Sequence, residues 1–167
     1  MNTIHDGQQP VVVLLAEDEA LVRAFAADVL RGEGGFKVVE VVNADEAPTV
    51  LEATADVRAL VTDVEMRGSL DGFTLARVVK QAWPHIGVVV TSGRMAPGPK
   101  DLPTGARFIP KPYRPADLVA AVQTVLQTEM PADGSVPVLP AAVKTSQPHT
   151  GIGAAGGLAQ PLPEPEE

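Results

Sequence analysis

The sequence predicts an α/β fold built on an open parallel sheet, and three observations carry that prediction. Short β-branched runs alternate with longer stretches of helical spacing from residue 10 to residue 129. Two of the runs, Val11 to Ala16 and Ile86 to Thr91, are almost wholly apolar, as strands covered on both faces by helices must be. Acidic, hydroxyl and amine side chains follow where the strand runs stop, and open parallel sheets bind ligands along that edge.

The elements follow in order. Val11 to Ala16 is the first strand, and Val22, Phe25 and Val29 mark the helix after it. Lys37 to Val42 is the second strand. Its helix carries Val50, Leu51 and Thr54, and Asn43 with Glu46 has the spacing of a capping box at its start. Ala59 to Thr62 is the third strand, and Leu75, Val78, Val79 and Ala82 give the next helix one stripe to bury. Ile86 to Thr91 and Arg107 to Pro110 are the fourth and fifth strands; Pro110 lacks an amide donor and suits a sheet edge. Leu118, Val122, Val125 and Leu126 line the last helix, with Pro115 in its first turn. A helix is due between Ser92 and Arg107, where Pro97, Gly98, Pro99, Pro103 and Gly105 intervene. Prolines remove donors and clash with the preceding turn, so this fourth helix is expected to be short, distorted or missing.

Composition bounds the functions open to such a chain. A length of 167 residues, 45% hydrophobic and 20% charged, suits one globular domain. That domain is expected at 10–129. Residues 130–167 hold Pro131, Pro137, Pro140, Pro148, Pro161, Pro163 and Pro165 with no aromatic, and read as a Pro/Gly/Ala-rich disordered tail. The absence of cysteine excludes disulfides, thiolate metal sites and cysteine nucleophiles. Thirteen Lys+Arg against 21 Asp+Glu give a net charge of -8, which opposes phosphate backbones, so direct nucleic-acid binding is not expected. No apolar run is long enough to insert in a membrane, and Met1 to Pro10 does not read as a secretory signal, so a cytoplasmic location is the default expectation.

The chemistry gathers at the strand ends. Glu17 and Asp18 follow the first strand, Asp63 the third, Ser92 the fourth and Lys111 the fifth. Three carboxylates brought together repel and raise one another's pKa. A hard divalent cation relieves that repulsion, and Mg²⁺ suits carboxylate and phosphoryl oxygens better than zinc does. A lysine opposite the metal leaves room for a phosphoryl group between two positive charges, and the Ser92 hydroxyl adds a donor.

The runs VVLLAEDEALVR, LVTDVEMRGSLDG, VVVTSGR and RFIPKPYRPADL resemble, in order, the receiver domain of bacterial two-component response regulators, over residues 10–129. The resemblance implies a flavodoxin-like, doubly wound five-stranded parallel sheet in the order 2-1-3-4-5. It implies that Asp63 accepts a phosphoryl group and that Asp18 and Asp63 ligate Mg²⁺, with Glu17 acting through water and Glu65 through its backbone carbonyl. Lys111 would pair with phosphoryl oxygens beside a cis Lys111–Pro112 peptide. Ser92 and Phe108 would form the switch, and Glu65 and Arg94 would flank the path of hydrolytic water. The implied partners are a sensor histidine kinase or phosphotransfer protein and an unknown downstream protein. The implied chemistry is self-catalysed phosphoryl transfer with slow autodephosphorylation, not conventional turnover, and the chain would act as a stand-alone regulator.

Other readings stand beside this one. Phe108 also fits a half-buried edge-strand aromatic, and Glu65 and Arg94 also fit solvated loop charges. A haloacid-dehalogenase-like phosphatase uses similar groups, but its acidic pair follows the lysine, whereas here the pair precedes Asp63. A phosphorylation-independent scaffold on the same fold has no need of the intact acid, serine and lysine set. Two features depart from the family pattern: Arg67 stands where a proline commonly follows the Met, and the loop from Arg67 to Leu70 is one residue longer than the commonest form.

Overall fold

The computed structural model describes residues 9–129. The expected tail, 130–167, lies outside the described residues. Five strands, β1 (Val12–Ala16), β2 (Lys37–Val41), β3 (Val57–Asp63), β4 (Gly87–Ser92) and β5 (Arg107–Pro110), form one sheet. The order is β2-β1-β3-β4-β5 and every pairing is parallel, as the sequence predicts. Among the described residues there are four helices: α1 (Ala20–Gly32), α2 (Ala47–Ala53) and α3 (Gly72–Ala82) connect the first four strands in turn, and α4 (Pro115–Glu129) follows β5.

Successive residues of β1 point to opposite faces, and both faces are apolar because both are covered. Val12, Leu14 and Ala16 join the core beneath α2 and α3, with Leu51, Leu75, Ala76 and Val79. Val13 and Leu15 join the core beneath α1 and α4, with Leu30, Leu118, Val122 and Val125. Each leucine buried this completely contributes roughly 1.5–3 kcal/mol of transfer free energy. At Gly87 a Cβ would stand 2.8 Å from Val125 Cβ, so glycine there lets α4 lie directly on β4.

The third strand starts at Val57, two residues before the alternation suggests. The β1–β3 register slips between Val12 and Val13, where Val12 pairs Val57 and Val13 pairs Ala59. Arg58 is the extra residue, and a bulge of this kind breaks the period on which a strand is read.

Among the described residues, no helix forms between β4 and β5. The fourth helix is missing rather than merely distorted, and turns take its place. Asp101 Oδ2 accepts the Gly98 amide at 2.6 Å, the Ala106 amide donates to the Pro103 carbonyl, and Gly105 takes a positive φ of 83°. Leu102 and Ala106 still pack on the α2/α3 core, so the segment covers part of the sheet without being helical. At the start of α2, Asn43 accepts the Glu46 amide at 2.9 Å, but Glu46 returns to the Asn43 side-chain amide rather than its backbone. The pair therefore closes the turn before α2, whose own N-cap, Glu46, makes no side-chain cap, so the expected capping box does not open the helix.

Candidate functional site

Parallel strands bring all their carboxyl ends to one edge, and the chain places its chemistry there. Glu17 and Asp18 leave β1, Asp63 ends β3, Ser92 ends β4, and Lys111 follows β5. Carboxylate oxygens of Glu17, Asp18 and Asp63 lie within 4.8 Å of one another. Glu17 and Asp63 are almost fully buried, at 3% and 5% exposure, so their charges cannot be left to solvent. Lys111 Nζ answers both, 2.8 Å from Glu17 Oε2 and 3.1 Å from Asp63 Oδ1. The Lys111–Pro112 peptide is cis, as the resemblance implies, and the Lys111 amide donates to the Ser92 carbonyl at 2.8 Å.

Burial pushes the Asp63 carboxyl up to about 6, with the Glu17 charge adding to the rise and Lys111 opposing it. Burial alone would lower Lys111, but Glu17 and Asp63 together hold it above its ordinary value. Asp63 Oδ1 is buried, and the group that faces it is the Lys111 ammonium at 3.1 Å. Three clustered carboxylates that share a single ammonium are a donor set for a hard divalent cation, since every ligand is an anionic oxygen. The cluster is therefore able to hold a metal ion.

The loop after β3 sets Asp18 and Asp63 in place by two contacts that sequence reading missed. The Arg67 amide donates to Asp18 Oδ2 at 3.1 Å. A proline at 67 has no such proton, so the departure at this position supplies a hold on a predicted metal ligand. Gly72 opens α3 against the exit of β3, where a Cβ would stand 2.0 Å from the Asp63 carbonyl oxygen. No sequence signal distinguishes this glycine from an ordinary weak helix residue. Asp71 caps the same helix by accepting the Thr74 amide at 2.7 Å, and an Asp just before an apolar-periodic run is a readable signal for that. Gly72→Ala forces the Asp63 turn to move and is expected to cost about 1–3 kcal/mol. Urea denaturation checks this, and an unshifted midpoint would show that the turn yields freely.

Ser92 is 2% exposed at the carboxyl end of β4. Its hydroxyl donates to Glu65 Oε1 at 2.6 Å and accepts the amides of Arg94 and Met95 at 3.2 and 2.8 Å. The Glu65 carboxylate thus turns to Ser92 while still facing Asp63, whose carboxyl its charge helps to push up; the resemblance assigns metal binding to its backbone carbonyl only. Burial pushes the Glu65 carboxyl up, but hydrogen bonds led by Ser92 outweigh it and leave the group below its ordinary value. Phe108, on β5, is half-buried against the α2/α3 core. It lines a cleft of about 410 Å³ with Ile109, Ala121 and Thr124 at the sheet edge.

Residues 13–123 match the response regulator receiver domain family. A protein-glutamate methylesterase/protein-glutamine glutaminase 1 from Paramagnetospirillum magneticum is 32% identical over 116 residues, 66% of this chain and 30% of that protein. A putative NtrX-like response regulator from Rickettsia bellii is 33% identical over 82 residues, 48% of this chain and 17% of that protein. The chain thus spans less than a third of the length of these curated relatives. The crystal structure of a response regulator receiver protein from Sinorhizobium medicae aligns with a TM-score of 0.64 at 28% identity, covering 72% of this chain and 98% of that one. The family match runs from β1 into α4 and takes in Glu17, Asp18, Asp63, Ser92 and Lys111, so the chain belongs to the response regulator receiver domain family.

Proposed function

We propose that this domain takes a phosphoryl group from a phosphohistidine of a sensor histidine kinase or phosphotransfer protein onto Asp63, and that the modification changes its binding to a downstream protein. The observation that carries the reading is the lysine bridge, in which one ammonium spans Glu17 and Asp63 within a cluster of three carboxylates. Asp63 presents the oxygen nucleophile. Its carboxylate attacks phosphorus as the nitrogen–phosphorus bond breaks, and the departing imidazole leaves neutral after taking a proton from solvent. Lys111 stays charged throughout and faces the oxygens on which negative charge accumulates, so positioning and charge neutralisation do the work. Asp18, Asp63 and the Glu65 carbonyl would hold Mg²⁺ with Glu17 behind water, and the ion would supply further neutralisation of phosphoryl charge. Hydrolysis of the resulting acyl phosphate returns the carboxylate.

A protein donor fits the surface beside Lys111. Leu21 is 82% exposed and Phe25 46% exposed on α1. With Val22, Pro112 and Tyr113 they line an apolar cleft of about 510 Å³ that reaches Lys111 itself. A contiguous apolar face at the mouth of a charged site suits a protein surface better than a small solute. On the output side, Ser92 and Phe108 form the switch: Ser92 moves to the phosphoryl group, Phe108 changes its packing, and the cleft beside β5 changes with it. A cytoplasmic location accords with this role, and among the described residues no helix is long and apolar enough to cross a membrane. Acetyl phosphate with Mg²⁺ is expected to add one phosphoryl group by intact mass, and excess chelator to suppress the addition at least tenfold. Equal labelling with and without chelator would reject the metal-assisted mechanism.

A further inference from the structure

The Ser92 hydroxyl is already engaged on every side. A serine has one proton to donate, and Ser92 gives it to Glu65 Oε1 at 2.6 Å. Its oxygen receives the amides of Arg94 and Met95. Ser92 therefore cannot donate to a phosphoryl group on Asp63 until Glu65 releases it. The acceptor is a carboxylate, and hydroxyl-to-carboxylate bonds of this length belong to the stronger class. Glu65 also stands in the field of Asp63, since its charge contributes to the raised Asp63 pKa.

We propose that the Glu65 carboxylate is a positioning residue that holds Ser92 Oγ in its resting place and is displaced by charge when Asp63 is phosphorylated. The inference rests on the phosphoacceptor reading of Asp63. Phosphorylation replaces one negative charge with nearly two and adds strong acceptor oxygens. The added charge repels Glu65 while the new oxygens compete for the Ser92 proton, so release and capture are driven by one event. Nothing in the hold depends on a change of protonation at Glu65. The device belongs to this chain's own residue pair: an uncharged side chain at position 65 would be neither a carboxylate acceptor nor a target of repulsion.

The backbone amides of Arg94 and Met95 report the position of Ser92 Oγ because both donate to it. Their NMR resonances are to be compared in wild type, Glu65→Ala and Glu65→Gln, each before and after acetyl phosphate and Mg²⁺, with intact mass read on the same samples. Glu65 is a partly exposed loop residue, so both variants are expected to fold, and amides elsewhere in the sheet serve as the control. Before phosphorylation, Glu65→Ala is expected to shift the two amides most of the way to their positions in phosphorylated wild type. Glu65→Gln keeps an acceptor oxygen and is expected to leave them near the resting positions. Resting positions retained in Glu65→Ala would overturn the proposal, as would displacement in Glu65→Gln as large as in Glu65→Ala. If none of the proteins gains mass, the phosphoacceptor reading falls and takes this inference with it. If all gain mass and the amides do not distinguish the variants, only the role of Glu65 falls.

Discussion

Lys111→Met is expected to lower the stability of the metal-free protein by about 3 kcal/mol near neutral pH, the cost of stripping the partner from buried charges. Lys111 Nζ lies 2.8 Å from Glu17 Oε2 and 3.1 Å from Asp63 Oδ1, and both carboxylates are at most 5% exposed. Without the ammonium they face each other in low dielectric. One escape is open: Asp63, already pushed up to about 6, takes up a proton. The destabilisation is therefore expected to shrink at about pH 5, where that proton is easily obtained, and to grow toward about pH 8. Lys111 itself contributes no pH dependence in this range. Its value is raised, so its stabilisation is fully present below the ordinary lysine range and is lost only above it. Urea denaturation at the two pH values checks this, and equal losses would show that carboxylate repulsion is not the cause. Adding Asp63→Asn should recover most of the loss, the non-additivity expected of groups in contact.

Asp63→Asn alone is expected to stabilise the metal-free protein by about 2 kcal/mol near pH 7, because the native state carries Asp63 charged at a cost the unfolded chain does not bear. The sign follows from proton uptake. Between about pH 4 and about pH 6 native Asp63 keeps a proton that the unfolded chain has released, so wild-type stability falls as pH rises through that window. The variant has no such proton, and the two curves should converge below about pH 4. Magnesium should narrow the gap at neutral pH by binding the native carboxylates of wild type. Thermal melts across pH with and without Mg²⁺ carry both parts of this prediction. A variant less stable than wild type in metal-free buffer at neutral pH would mean that Asp63 is paired well enough to need no cation.

Most of the architecture was legible because alternation reports burial directly. β1 is apolar and buried throughout, β4 is buried throughout and apolar up to Thr91, and the prolines after Ser92 do prevent a helix. The start of β3 was misread because the bulge at Arg58 breaks the period. The acidic cluster was legible for a topological reason: residues ending parallel strands meet whatever their separation in the chain. What the sequence concealed lies at finer scale. An amide donor at Arg67 is invisible in a side-chain pattern, although the missing proline marks the place. The closeness of Gly72 to the Asp63 carbonyl depends on how α3 docks, and the engagement of Glu65 with Ser92 depends on a loop path that spacing alone does not define.

Phosphorylation in this acidic site is expected at Asp63. It is tested most directly by intact-mass measurement of wild type and Asp63→Asn after acetyl phosphate and Mg²⁺, followed by hydroxylamine, which cleaves acyl phosphates. The expected result is one added phosphoryl group on wild type, removed by hydroxylamine, and none on the variant. An unmodified wild type, or equal labelling of the two proteins, would contradict it.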